Sequence, residues 1–163
     1  MSALGVGEKA PDFTLKSLDG EEVKLSDLLH KGENLVLAFF PAAWSSVCGS
    51  ELTLFQEVQD EFTRLNAKVI GISEDNYYSL KAWADAKGLK FPLLSDFHPR
   101  GAAAKKYGVL RDDGLAERAL FILDPDGFIR YSYLSPIGQN PGADRLIDAL
   151  EKMQAEQLQG ARR

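Results

Sequence analysis

The segment that organises the chain reads Phe39-Phe40-Pro41-Ala42-Ala43-Trp44-Ser45-Ser46-Val47-Cys48-Gly49-Ser50-Glu51. It begins at the end of the apolar run 35–40, turns at a proline, and brings the only cysteine of the chain to the start of a helical pattern. Backbone N–H groups in the first turn of a helix have no partner within the helix, and the helix dipole is positive there. Both effects favour a thiolate over a thiol, so we expect Cys48 to be a reactive cysteine.

The same segment resembles the active-site motif of a known family. Pro41, Ser45 and Cys48 stand in the Pro-x-x-x-Thr/Ser-x-x-Cys arrangement of the peroxiredoxins, and Glu51 follows the cysteine by three residues, as in many members. This family consists of thiol peroxidases built on a thioredoxin-like fold. The resemblance therefore implies a peroxidase in which Cys48 is the nucleophile.

Similarity to the peroxiredoxins extends over about residues 5 to 152. The segment Ala10-Pro11-Asp12-Phe13-Thr14-Leu15 looks like the opening strand of the family, and Phe91-Pro92-Leu93-Leu94-Ser95-Asp96 resembles its middle segment. Residues 94–108, together with the single cysteine, are most similar to the one-cysteine bacterial branch typified by alkyl hydroperoxide reductase E. A homodimer, common in this family, is the implied assembly.

The single cysteine restricts the catalytic cycle that the resemblance implies. Attack of the thiolate on a peroxide releases water or an alcohol and leaves a sulfenic acid. Since the chain has no second cysteine, an external thiol must regenerate Cys48. Candidates are thioredoxin, a glutaredoxin-like protein, or a low-molecular-weight thiol such as glutathione or mycothiol. No metal, haem or flavin cofactor is expected.

Each residue beside the cysteine also has a plain structural interpretation. Ser45 is well placed to cap the helix, and its hydroxyl can at the same time bond the thiolate or the peroxide. Pro41 ends the strand and is expected to shield the sulfur from water. Glu51 either orients an arginine or is a favourable acidic residue in a first turn. Trp44 and Phe40 are interpreted as core or interface residues, with an apolar rim for organic hydroperoxides as the alternative.

An arginine near the sulfur is needed to hold the anion and to lower the barrier. Spacing alone does not choose among the candidates, which are Arg100, Arg111, Arg118, Arg130 and Arg145. The resemblance selects Arg118, because it precedes the strand 119–124 as the active-site arginine of the family does. The alternative, purely structural interpretation of Arg118 is a solvated charge at the end of a strand.

Composition excludes several other functions. A chain of 163 residues with a net charge of −5 lacks the basic surface that nucleic acids require. No apolar run is long enough to span a bilayer, and the first residues lack the pattern of a secretory signal, so we expect a cytoplasmic protein. The two histidines lie far apart without a cysteine cluster, which argues against a zinc site.

The order of apolar segments predicts a single α/β domain over residues 1–163. Short strands at 12–16 and 22–25 flank an Asp-Gly turn as an N-terminal β-hairpin, and Ser26 is expected to cap a helical turn. The segment 34–40, apolar without alternation from Leu35 onward, predicts a central strand covered on both faces. Later segments complete a mixed sheet flanked by helices, ending in a helix from 143 to about 157 and a frayed tail, 158–163.

Two rival functions remain open at this point. The first is a redox sensor that forms the same sulfenic acid but turns over poorly. The second is an inert thioredoxin-like interaction domain. Turnover with a regenerating thiol separates an enzyme from a sensor, and an unreactive Cys48 would favour the interaction domain.

Overall fold

The fold is a seven-stranded mixed sheet with helices on both faces. The computed structural model describes residues 2–161, and the strand order across the sheet is β2-β1-β5-β4-β3-β6-β7. The strands are β1 Thr14–Lys16, β2 Glu22–Lys24, β3 Asn34–Phe39, β4 Ala67–Ser73, β5 Leu93–Ser95, β6 Arg118–Leu123 and β7 Ile129–Ser135. The helices are α1 Leu25–Leu28, α2 Ser46–Glu57, α3 Gln59–Arg64, α4 Tyr77–Lys87, α5 Ala102–Lys106 and α6 Asp144–Ala161. The predicted α/β class, with a mixed sheet and an N-terminal hairpin, is confirmed.

Strand β3 lies near the middle of the sheet, and every one of its residues is buried. Its side chains alternate between the two faces, so Val36 and Ala38 pack in the core under α2, α4 and α6. Leu35 and Leu37 pack in the second core, under α5 and the N-terminal segment. A strand with both faces covered needs apolar side chains on both faces, which explains the unbroken apolar run that follows Asn34.

The directions of the strands follow from the lengths of their connections. Strands β3, β4 and β5 are parallel, because a helix carries the chain back across the sheet between successive strands. The turn Asp124–Gly127 is short and joins β6 to β7 as an antiparallel pair. Strand β6 is antiparallel to β3, and its first residue therefore lies beside the end of β3.

Some helix boundaries are not apparent from the sequence pattern. Apolar residues at helical spacing predict one helix from Cys48 to about Asn66, but Val58 leaves the helical conformation and separates α2 from α3. Apolar spacing does not reveal this break because both helices bury the same face, through Phe55 and Phe62. By contrast, the pattern of residues 77–87 predicts a helix that Gly88 closes, and Gly88 does end α4 in the left-handed conformation.

The first helix, α1, and the last helix, α6, also differ from their predictions. Ser26 is not the cap of α1: it is the second residue of that helix, and its N–H donates to the Asp12 carboxylate at 3.0 Å. A residue distant in sequence therefore supplies the cap. Helix α6 continues to Ala161, so most of the expected tail is helical, while Arg162 and Arg163 lie outside the described residues. No helix within residues 2–161 has the length and apolarity needed to cross a bilayer.

Two carboxyl groups are buried together where β4 and β5 end. Glu74 is 2% exposed and Asp96 is 1% exposed. The Asp96 carboxylate accepts hydrogen bonds from the N–H groups of Ala103 and Ala104, both at 3.0 Å, and this stabilises its charge. Burial, followed by the negative charge of Asp96, raises the pKa of Glu74 well above its ordinary 4.5. Both effects favour the neutral form of Glu74 in the folded protein.

We predict that Glu74→Gln stabilises the protein increasingly as pH rises. A carboxyl whose pKa is raised by folding contributes full stability only below its unfolded pKa, and the contribution falls as pH rises toward the folded pKa. The variant has no such group, so its advantage over the wild type should grow between pH 5 and pH 8, reaching about 2 °C or more in Tm. Thermal unfolding followed by circular dichroism measures this difference, with the exposed Glu21→Gln as control. An advantage that shrinks with pH would contradict this account of Glu74.

Candidate active site

The loop before α2 is held in place by a carboxylate that lies just beyond the end of the neighbouring strand β4. Pro41 is buried just after β3, and the Ala43 N–H donates to Asp75 Oδ2 at 2.8 Å. The same oxygen accepts from the Ser73 hydroxyl at 2.8 Å. Because β3 and β4 are parallel, their carboxyl ends meet at one edge of the sheet, where Asp75 reaches the loop. The sequence interpretation missed Asp75, although a pair of acidic residues just after a buried strand is a signal that could have found it.

Helix α2 begins immediately after that loop, with Ser45 as its N-cap. The Ser45 hydroxyl oxygen accepts a hydrogen bond from the Cys48 N–H at 3.3 Å, which satisfies one of the free donors of the first turn. Cys48 is the third residue of α2, and its side chain points into the core. The predicted cap is therefore present, and its hydroxyl proton remains available to donate to a second acceptor.

The guanidinium of Arg118 lies against the sulfur. Arg118 is the first residue of β6 and is only 2% exposed. Its Nη1 donates to Cys48 Sγ at 3.3 Å and lies 3.4 Å from Glu51 Oε1, while its Nε donates to the Ile137 carbonyl at 3.0 Å. Cys48 is fully buried, so an anion at its sulfur would be costly without this cation. The arrangement is a buried cysteine paired with a buried, fixed guanidinium.

Glu51 is the third member of this buried group. It is 0% exposed and forms an ion pair with Arg118. Burial raises the pKa of Glu51 to about 7, whereas the charge and the hydrogen bond of Arg118 act to lower it. Its second oxygen, Oε2, has no hydrogen-bond partner within the described residues. Of the two interpretations of Glu51, the structure therefore supports the one in which this carboxyl contacts an arginine.

The other four candidate arginines lie in other surroundings. Arg100 and Arg145 stand over the rings of Phe97 and Tyr133. Arg111 and Arg130 form ion pairs with acidic side chains, at Asp113 and Glu117 and at Asp124 and Glu156 respectively. The geometry thus brings Arg118, Cys48, Ser45 and Glu51 together, as the resemblance implied.

The two aromatic residues of the segment have different environments. Phe40 is fully buried and packs on Trp83, with ring centroids 5.4 Å apart, so it belongs to the core and forms no rim. Trp44 is 60% exposed and adopts a left-handed backbone with φ 72°, which is uncommon for a bulky residue. The core interpretation of Trp44 is therefore wrong for this chain, and an interface or a substrate rim remains.

Comparisons with protein families, with individual sequences and with solved structures all point to the same family. The sequence model of the AhpC/TSA family matches residues 6–132. Alkyl hydroperoxide reductase E of Mycobacterium tuberculosis is 36% identical over 154 residues, which span 93% of this chain and 99% of that protein. A protein described as a putative peroxiredoxin, from Pyropia yezoensis, is 36% identical over 163 residues, covering 94% of this chain and 80% of the relative.

The structural comparison agrees. The reduced 2-Cys peroxiredoxin of Plasmodium vivax superposes with a TM-score of 0.87 at 28% identity, over 96% of this chain and 86% of that one. The fold is therefore thioredoxin-like, as the resemblance implied. Relatives named 2-Cys peroxiredoxin and relatives named alkyl hydroperoxide reductase E both align with this chain. Its single cysteine fits the one-cysteine type.

We predict that Arg118→Met raises the pKa of Glu51 above about 7, because the positive charge of Arg118 and its hydrogen bond both lower that pKa. The pH dependence of the protonated carboxyl band, measured by infrared spectroscopy, follows this group. Subtracting the spectrum of the matching Glu51→Gln variant isolates its signal from the other buried carboxyls. A midpoint that stays the same or falls in Arg118→Met would show that Arg118 does not stabilise the charged form of Glu51.

Proposed function

Because the chain belongs to the AhpC/TSA family, we propose that its Cys48 is the peroxidatic nucleophile, with Arg118 as the residue that activates it. The protein is a thiol-dependent peroxidase of the peroxiredoxin type. The single observation that carries the assignment of residues is the contact of 3.3 Å between Arg118 Nη1 and Cys48 Sγ. A guanidinium at this distance lowers the energy of a thiolate relative to a neutral thiol.

The reaction that this geometry supports is a displacement at oxygen. The Cys48 thiolate attacks the distal oxygen of the peroxide, an S–O bond forms, and the O–O bond breaks. The departing hydroxide or alkoxide takes a proton and leaves as water or an alcohol, and Cys48 becomes a sulfenic acid. Negative charge moves from sulfur to oxygen in this step, and the guanidinium of Arg118 has a planar set of donors that can bond both atoms.

Ser45 and Pro41 have supporting roles in this proposal. The Ser45 oxygen is fixed by the Cys48 N–H, so its hydroxyl proton can be directed at the peroxide. Pro41 is buried just after β3 and has no N–H, so its backbone offers no donor to hold a water molecule there. Glu51 orients Arg118 through its ion pair.

Trp44 suggests how the substrate range could include organic hydroperoxides as well as hydrogen peroxide. Its side chain is four residues before Cys48 and is 60% exposed, so the segment that carries the cysteine presents an apolar surface to solvent. The same exposed ring would also suit a contact with a second copy of the chain, which is why a homodimer remains part of the proposal. A compartment with a reducing thiol pool, such as the cytoplasm, suits a catalytic cysteine that must be restored by thiols.

We predict that Cys48→Ser abolishes peroxide consumption, because serine is not a nucleophile of comparable strength at neutral pH. Arg118→Met should lower kcat/KM by about 10²- to 10³-fold, and Arg118→Lys should lie between it and the wild type because lysine keeps the charge but lacks the fork. The assay measures peroxide loss with dithiothreitol as the thiol.

The exposed Arg64→Lys is a suitable control for a general loss of stability. A Cys48→Ser variant as active as the wild type would overturn the proposed function. A wild-type protein that consumed one equivalent of peroxide and then stopped would favour the sensor instead.

The thiol that completes the cycle is a further part of the proposal. With one cysteine in the chain, the sulfenic acid must form a mixed disulfide with an external thiol, releasing water, and a second thiol must then release Cys48. We predict that at least one of thioredoxin, a glutaredoxin-like protein, glutathione and mycothiol returns the oxidised protein to its starting mass. Intact-mass spectrometry after one equivalent of peroxide follows this recovery, and failure with every thiol would contradict a catalytic cycle.

A further inference from the structure

The segment between β7 and α6 forms a strap beside the active site. It comprises residues 136–142, Pro136-Ile137-Gly138-Gln139-Asn140-Pro141-Gly142, and its first five residues are exposed. At its base, the buried Ser135 pairs with Arg118 in the register of β6 and β7. The Ser135 hydroxyl lies 3.2 Å from the Pro136 carbonyl and 3.3 Å from that of Gln139. The start of the strap is therefore folded over the residue that precedes it.

The strap contacts the guanidinium directly through a backbone carbonyl. The oxygen of Ile137 accepts from Arg118 Nε at 3.0 Å, while Arg118 Nη1 donates to Cys48 Sγ at 3.3 Å. A guanidinium is planar, so bonds at Nε and Nη1 together fix both its position and its plane. A shift of the Ile137 carbonyl would therefore change the direction from which Arg118 approaches the sulfur.

One side chain ties the strap to the helix that carries the cysteine. The Asn140 Nδ2 donates to Ser50 Oγ at 3.2 Å, and Ser50 lies two residues after Cys48 in α2. The other end of the same amide, Oδ1, accepts from the Gly142 N–H at 2.9 Å, which holds the side chain in place. Asn140 thus connects the strap to α2. The other end of the strap is anchored by strand β7, whose last residue pairs with Arg118.

We propose that Asn140 is a positioning residue for the peroxidase reaction, acting through the strap to keep the Ile137 carbonyl on Arg118 and the guanidinium aligned with Cys48. This inference rests on the proposed roles of Cys48 and Arg118. Asn140 does not itself contact the sulfur. Its effect is transmitted by the strap backbone, and it is therefore present only when Arg118 is there to be aligned.

The test uses variants that remove the connection in two ways. Asn140→Ala removes both hydrogen bonds of the amide, whereas Ser50→Ala removes only the bond between the strap and α2. Gln139→Ala is the matched control, since it removes a neighbouring exposed amide whose side chain forms no hydrogen bond with the described residues. The rate constant for oxidation of Cys48 by hydrogen peroxide is measured in a single turnover by rapid quenching and titration of the remaining thiol.

The proposal predicts a roughly five- to ten-fold fall in this rate constant for Asn140→Ala and for Ser50→Ala, the size expected for loss of one hydrogen bond that aligns a reacting group. The double variant should be no slower than the slower single variant, because both changes break the same connection. Ser50→Thr keeps the hydroxyl and should restore most of the rate, and Gln139→Ala should match the wild type.

A second comparison separates positioning from a general structural role. In an Arg118→Met background, Asn140→Ala should produce no further loss of rate, since there is no guanidinium to align. An equal fractional loss with and without Arg118 would overturn the proposal, as would a normal rate in Asn140→Ala with the wild-type Arg118. If instead Cys48→Ser consumed peroxide like the wild type, the proposed function itself would fail, so the two failures are distinguishable.

Discussion

The structure depends on burying a positive charge beside a cysteine without leaving that charge unpaired. Arg118 is 2% exposed, and a guanidinium in such a position is stable only when its donors are satisfied. Cys48 and Glu51 provide those contacts from helix α2, and the Ile137 carbonyl provides one from the segment after β7. The cost of burying Arg118 is therefore offset by the groups whose chemistry it controls. Glu51, with a pKa of about 7, can adjust its charge to this environment.

The topology of the sheet brings these groups together. Strand β6 runs antiparallel to β3, and Phe39 at the end of β3 pairs with Ala119 near the start of β6. Arg118 is consequently placed at the edge of the sheet where the chain leaves β3 and enters the loop before α2. On the other side, β4 runs parallel to β3 and delivers Asp75 to the same edge. Each strand beside β3 therefore brings one side chain to the segment that carries Cys48: β6 brings Arg118 and β4 brings Asp75.

The parts that the sequence predicts are those set by local chemistry. The apolar run of β3, the serine that caps α2, and Gly88 at the end of α4 each follow from neighbouring residues. The choice of Arg118 among five arginines needed the family resemblance, because its contact with Cys48 spans 70 positions and depends on strand register. The Ile137 contact has no signal in the sequence, since any residue supplies a backbone carbonyl. Ser26 failed as a cap because Asp12 reaches α1 from elsewhere in the chain.

The most direct test of the central claim asks where the first oxygen goes. The protein is treated with one equivalent of hydrogen peroxide in the presence of dimedone, which traps sulfenic acids, and the adduct is located by peptide mass spectrometry. The account predicts a single adduct at Cys48 that forms fast with Arg118 in place and far more slowly in Arg118→Met. An unmodified Cys48, or an adduct that forms equally fast without the guanidinium, would contradict the claim that this buried pair carries the reaction.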